Sequence, residues 1–218
     1  MNILLVSAGS DITNGAAKSL LNMARYFTRN HIQTVVLLPT PGPIEAELQA
    51  MGIAYHIVRH LGRWTIPIRL EYPKGFIQTV KRFITICYDR CIANAQIQRV
   101  MEAHKIDIVH INASTTCDGA IAAIRKQKKL VWHIREFMEE DLRKKFVDAQ
   151  KAHHLMSRAD CVIAISDAIR QKYQDRIDTR ILRIYNGVEA NRFYEPRRVL
   201  ASDTVKILIS GRVTPKKG

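Results

Sequence analysis

"NILLVSAGSDITNGAAKSLLNMARYFTRNHIQTVVLLP", residues 2–39, decides the fold. It opens on a nearly continuous apolar run, NILLVS (2–7), and closes on another, TVVLLP (34–39). Between them Leu20, Leu21, Ala24 and Phe27 recur at helical spacing, with Lys18, Arg25 and Arg29 elsewhere on the same turn sequence. Apolar runs without alternation suit strands covered on both faces, and the three-to-four spacing suits an amphipathic helix. A strand, a helix and a second such strand form one unit of a parallel sheet.

The pattern continues. IAYHIV (53–58), IDIVHI (106–111), KLVWHI (129–134), CVIAIS (161–166) and RILRIY (180–185) read as further short buried strands. EAELQAMG is a helix stopped at Gly52, and DGAIAAIRKQKK and DAIRQKYQDR are others, the second capped by Ser166 or Asp167. Alternation of this kind predicts an α/β fold, a doubly wound, Rossmann-like parallel sheet.

Residues 59–105 interrupt the rhythm. RHLGRWTIPIRLEYPKG is loop-like, and 76–105 reads as one long helix with Phe76, Val80, Phe83, Ile84, Cys87 and Cys91 on its apolar side. The simpler reading is a surface helix packed on the sheet; the alternative is a basic amphipathic segment that meets anionic lipid or a partner. After Tyr185 comes a turn and a polar, proline-containing stretch, and VKILISGRV then starts a new strand with no helix behind it. A lone strand cannot bury two faces. The expected division is therefore a domain over 1–198, followed over 199–218 by a linker and the start of a second domain.

The loop at 7–20 resembles a phosphate cradle, but the details fail. Five residues separate Gly9 from Gly15 where the motif has four, and two alanines precede Lys18, so the G-x-x-x-x-G-K-[ST] spacing is absent, as is G-x-G-x-x-G. What survives is physical: a glycine at the mouth of the first helix, beyond the carboxyl end of the first strand, bares unpaired N–H groups and a positive dipole end. A tight turn at Gly15 explains the same residue without any ligand.

Composition sets bounds. Of 218 residues, 34 are Lys or Arg against 20 Asp or Glu, a net charge of +14 that attracts nucleic acid, anionic lipid or phosphorylated small molecules alike. The basic residues are spread along the chain and aromatics are 7%, which disfavours a nucleic-acid surface. The N-terminus lacks a basic start, and its apolar run is too short for a signal core or a membrane span. Cys87, Cys91, Cys117 and Cys161 lack a CxxC pair, and Cys87 and Cys91 read as buried thiols of a reducing compartment. These features predict a cytoplasmic protein.

Taken together, NGAAKSLLNMARYF after a strand, VWHIREF, CVIAISDAIR, IYNGVEANRF and GRVTPKKG resemble, in order and spacing, the retaining glycosyltransferases of family 4. NGVEANRF and the GR-x4-KG element are the most specific. The resemblance covers essentially the whole chain. It implies the N-terminal half of a GT-B architecture, in which two Rossmann-like domains face a cleft. It also implies transfer of a sugar from a nucleotide-sugar to an acceptor, with retained configuration.

That resemblance puts Asn14 and Gly15 near the donor diphosphate and the acceptor, and His133 beside the transferred sugar. Arg135 and Glu136 would contact the acceptor or steady the loop; a solvated ion pair explains them equally well. Arg212 and Lys217 match the pair that neutralises the departing diphosphate, with Lys216 leaving the register open by one. The family's E-x7-E element is absent from these residues, so the chain by itself is expected to transfer no sugar. No metal or other cofactor is expected. The partners expected are a nucleotide-sugar and a glycan or lipid-linked acceptor, with an anionic membrane surface at the inner face of the plasma membrane suggested by charge alone. The competing readings are a basic Rossmann-like domain that binds nucleotide or nucleic acid, and a small-molecule-binding regulator, neither with transferase activity.

Overall fold

A computed structural model describes residues 1–58, 64–68, 91–187 and 207. The chain divides into two units, Met1–Asn186 and Gly187–Gly218, and all of the architecture below belongs to the first. Arg212 and Lys217 lie outside the described residues, as does most of the expected 199–218 segment.

Seven parallel strands form the sheet: β1 (Asn2–Val6), β2 (Gln33–Leu38), β3 (Ala54–Ile57), β5 (Ile108–Ile111), β6 (Lys129–Ile134), β8 (Cys161–Ala164) and β9 (Ile181–Arg183). Their spatial order is β3-β2-β1-β5-β6-β8-β9. Leu4 pairs with Val35 on one side and Val109 on the other, which sets β1 inside the sheet between β2 and β5. The order reverses between β1 and β5, the point at which an open α/β sheet opens a crevice at its carboxyl edge.

The unbroken apolar runs have the predicted cause. On β1 and β2, Leu4, Val6, Val35 and Leu37 enter one core cluster while Ile3, Leu5, Val36 and Leu38 enter another. Alternate residues of a strand face opposite sides, so both faces of the sheet are covered. The second cluster is closed by α1 (Gly15–Arg29) and α2 (Ile44–Ala50), through Leu20, Leu21, Ala24, Ile44 and Leu48. The first is closed by α3 (described over residues 91–103), α4 (Asp118–Arg125), α5 (Ala149–Ser157) and α6 (Asp167–Gln174), through Ile97, Ala122, Met156 and Tyr173 among others. The first half of the expected long helix lies outside the described residues.

Two expectations need correction. Cys91 is exposed on α3 rather than buried, because it falls on the solvent side of that helix; Cys87 is not among the described residues. The stretch after residue 63 is not wholly loop: β4 (Thr65–Pro67) pairs antiparallel with β7 (Lys144–Phe146) in a small separate ribbon. Of the two proposed caps of α6, Ser166 is the one that acts, its Oγ accepting from the Ile169 N–H at 3.2 Å.

Gly119, in the first turn of α4, shows how the crevice is kept tight. A Cβ there would stand 2.7 Å from Val6 Cγ2 and 2.8 Å from Ile111 Cδ1. Only glycine lets the helix lie against the ends of β1 and β5.

Candidate functional site

A cavity of about 490 Å³ opens at the carboxyl edge of the sheet. Its walls come from the segments that leave the strands on either side of the reversal. Ser7 and Gly9 follow β1, Asn112 and Thr115 follow β5, Arg135 and Glu136 follow β6, and Asn186 follows β9. Asn14 and Gly15 bring in the start of α1.

The helix start is built locally. Asn14 adopts an extended backbone and its Oδ1 accepts from the Ala17 N–H at 2.8 Å, an N-cap that leaves the Gly15 and Ala16 amides without an intrahelical acceptor. The tight-turn explanation for Gly15 fails: its φ is not in the left-handed region, and a Cβ there would meet nothing within 4 Å. The residue faces open cavity, so the helix backbone is bare where a ligand would approach. Replacing Asn14 by alanine is expected to cost about 1 kcal/mol of stability, read as a lower urea midpoint, with no change in the sheet.

Arg135 is the centre of the site. It is only 8% exposed, and each of its nitrogens has a partner. Nε donates to Asn112 Oδ1 at 2.9 Å, Nη1 to Asn186 Oδ1 at 2.6 Å, and Nη2 to His133 Nδ1 at 3.0 Å. All three acceptors are neutral, so the guanidinium is held in place without being neutralised by them. Burial pulls its pKa down to about 10, with the Glu136 charge acting in the opposite sense. It therefore stays cationic at any physiological pH.

His133 does not sit in the cavity wall. It is 6% exposed and lies behind Arg135. Because the arginine can only donate, His133 Nδ1 must accept, which puts the ring proton on Nε2. Its ring lies 5.5 Å from that of buried His110 on β5. Burial, the Arg135 charge and His110 together push the His133 pKa down to about 2; burial and Arg135 push that of His110 to about 4. Both rings are neutral, and neither Nε2 has a hydrogen-bond partner. In this arrangement His133 orients the arginine.

Glu136 lines the cavity beside Arg135, and its Oε1 accepts from the Ser114 N–H at 2.9 Å. Burial raises its pKa above the usual carboxylate range, an effect that the Ser114 amide opposes. The Ser114 segment is itself pinned: Trp64 Nε1 donates to Ser114 O at 2.9 Å and Trp132 Nε1 to Ala113 O at 3.2 Å, the two indoles being stacked with centroids 5.5 Å apart. Buried tryptophans fill the core and spend their N–H groups on the cavity wall.

The structure thus brings Asn14, Gly15, Arg135 and Glu136 into one cavity and places His133 one layer behind. Sequence reasoning missed Asn112 and Asn186. Asn112 accepts from Arg135 and donates from Nδ2 to Ala16 O at 3.0 Å, linking the arginine to the first turn of α1. Each stands just after a strand, and Asn186 also opens NGVEANRF, one of the elements that carry the resemblance. Among the described residues, no group of three or more His, Cys, Asp or Glu is placed to bind a metal ion, and no helix is long and apolar enough to cross a membrane.

A parallel α/β sheet with its cavity at the topological reversal defines a doubly wound, Rossmann-like domain. Residues 13–192 match the family model "Glycosyltransferase Family 4", and the chain belongs to that family. No curated protein matches it. Among solved structures, HepE from Anabaena, in complex with UDP and glucose, is similar with a TM-score of 0.61 at 21% identity over 88% of this chain and 46% of that one. A glycosyltransferase from Rickettsia africae gives 0.58 at 14% identity, covering 88% of this chain and 44% of that one. The lipopolysaccharide outer core galactosyltransferase WaaB in its apo form gives 0.59 at 15%, covering 86% and 46% respectively. The chain therefore spans less than half the length of these structures. The likeness supports the fold, and family membership does not favour the reading as a nucleotide- or nucleic-acid-binding domain without transferase activity.

Proposed function

We infer that the chain is the N-terminal half of a retaining glycosyltransferase that moves a sugar from a nucleotide-sugar to a glycan or lipid-linked acceptor in cell-surface polysaccharide or glycolipid synthesis. The observation that carries this reading is a guanidinium held by three neutral acceptors beside a bare helix N-terminus, both facing one cavity at the switch point of a family 4 domain. As the bond from the anomeric carbon to the diphosphate oxygen breaks, negative charge grows on the phosphate. Fixed donors placed before that moment stabilise it without reorganising. The Gly15 and Ala16 amides and Arg135 supply such donors from this side, while Arg212 and Lys217 neutralise the leaving group and take the part a divalent ion plays elsewhere. Glu136 receives a hydrogen bond from the acceptor hydroxyl. His133, Asn112 and Asn186 hold the arginine in the plane that this geometry needs. HepE is known in complex with UDP and with UDP-glucose, which supports a nucleotide-sugar as donor here.

Amide and side-chain NMR of the chain titrated with UDP tests the assignment. Shifts concentrated at Gly15, Ala16 and the Arg135 side chain are expected, and shifts confined to the far edge of the sheet would refute it. Incubated with a panel of nucleotide-sugars and acceptor glycans, the 218-residue chain is expected to form no glycoside. Measurable transfer would show that these residues already contain a complete donor site.

A further inference from the structure

We propose that His56 and His104 form a binding site for one divalent transition-metal ion, a clip between the edge strand β3 and the end of α3. The Nε2 atoms of the two rings lie 2.8 Å apart, with ring centroids at 5.0 Å and planes inclined by 66°. The two residues stand 48 positions apart in the chain, so only the fold brings them together.

Both backbones are fixed before any ion arrives. His56 lies in the β2–β3 ladder opposite Leu37. The His104 N–H donates to Val100 O at 3.1 Å, and Asn2 Nδ2 donates to His104 O at 2.9 Å and to Lys105 O at 3.1 Å. An ion held by two imidazole nitrogens at adjacent coordination positions, each about 2.1 Å away, keeps those nitrogens about 3.0–3.4 Å apart. The rings therefore need only part slightly and turn their lone pairs towards a common point. Each ring then keeps its proton on Nδ1, and no proton is released.

The surroundings suit such an ion. Burial, and after it the neighbouring His104 charge, hold the His56 pKa below its ordinary value, so the ring stands ready in the neutral form that coordinates. His104 directly follows the last turn of α3, whose carbonyl end favours positive charge. Both rings are half-buried, and β3 is the outermost strand of the sheet, which leaves the remaining coordination positions to water. Imidazole selects zinc, copper or nickel, whereas magnesium and calcium call for oxygen ligands. Among the described residues, no other group hydrogen-bonds either ring, so an ion displaces nothing but the contact between the two. The clip lies outside the residues that line the cavity and is independent of sugar transfer.

The test is calorimetry of the chelator-stripped, 218-residue chain with zinc chloride and, separately, magnesium chloride at neutral pH, followed by thermal unfolding in the same salts. One zinc ion per chain and a raised Tm are expected, with no response to magnesium. His56→Gln and His104→Gln should each weaken zinc binding at least about tenfold and remove the rise in Tm. The control pair His153→Gln/His154→Gln removes two imidazoles that are adjacent on α5 and do not face each other, and it should leave both readouts unchanged. Circular dichroism checks that each variant is folded. Side-chain nitrogen NMR of the wild type decides without any variant: one equivalent of zinc should shift Nε2 of His56 and His104. If the wild type binds no zinc, if binding survives either glutamine variant, or if the control loses it as well, the proposal is overturned and the pair is a hydrogen bond alone.

Discussion

Replacing Arg135 by leucine should destabilise the domain by a few kcal/mol and weaken its binding of UDP about ten- to hundredfold. The two effects have different origins. The stability loss comes from the partners left behind: His133 Nδ1, Asn112 Oδ1 and Asn186 Oδ1 each lose a donor, and a buried polar atom without a partner costs about 1–3 kcal/mol. The loss is bounded by the gain from no longer burying a cation. On the proposed role of Arg135, the binding loss corresponds to one charge-assisted hydrogen bond to a phosphate oxygen, worth about 1.5–3 kcal/mol. Arg135→Lys separates them. It keeps a positive charge but cannot reach three acceptors in a planar fork, so it should lower the urea midpoint while retaining part of the affinity. Equal UDP affinity in wild type and Arg135→Leu, measured by calorimetry on folded protein, would remove the arginine from the site.

Acidification below about pH 6.5 should progressively destabilise the domain. His110 and His133 are neutral in the fold, with pKa values pushed to about 4 and about 2, against an ordinary value of 6.5. Above 6.5 both folded and unfolded chains leave them neutral, and nothing is lost. Below 6.5 the unfolded chain takes up protons that the fold refuses, so stability falls as pH falls. The His110 contribution stops growing near pH 4, the His133 contribution near pH 2. For His110 alone the full loss is about 3 kcal/mol. Urea midpoints at about pH 7 and about pH 4.5 measure most of that window. His110→Leu removes a buried nitrogen that has no partner, so the variant should fold at neutral pH and lose markedly less on acidification. An identical acid loss in both proteins would mean that general charge repulsion from a net +14 chain drives it instead.

Much of the fold was legible because its signals are local. β1, β2, β5, β6 and β8 announce themselves as apolar runs, since a strand covered on both faces has no polar side to show. The starts of α1 and α6 are written in Asn14 and Ser166, whose side chains cap amides three residues on. The stop of α2 is written in Gly52, which sits at φ +66. The β4–β7 ribbon was not legible. Three-residue strands carry no periodicity, and their pairing joins segments far apart in the chain. The α5 helix, lying between two short strands, carries no clear repeat either.

For the site, the sequence determined which loops meet: an alternating strand–helix order sends every segment that follows a strand to one edge, and the reversal between β1 and β5 opens the cavity there. Asn14, Gly15, Arg135 and Glu136, assigned to the site by the family resemblance, all line the cavity. Only the tertiary structure decided how each is held. His133 stands two residues before Arg135, on the same side of an extended backbone, so nothing in VWHIRE separates a ring that faces the cavity from one that props its neighbour. The answer depends on His110 and Asn112 from β5 and its loop and on Asn186 after β9, partners distant in sequence. A hydrogen bond between such residues exists only after the chain has folded, because it depends on where side chains end up in space and leaves no repeat along the chain to be read.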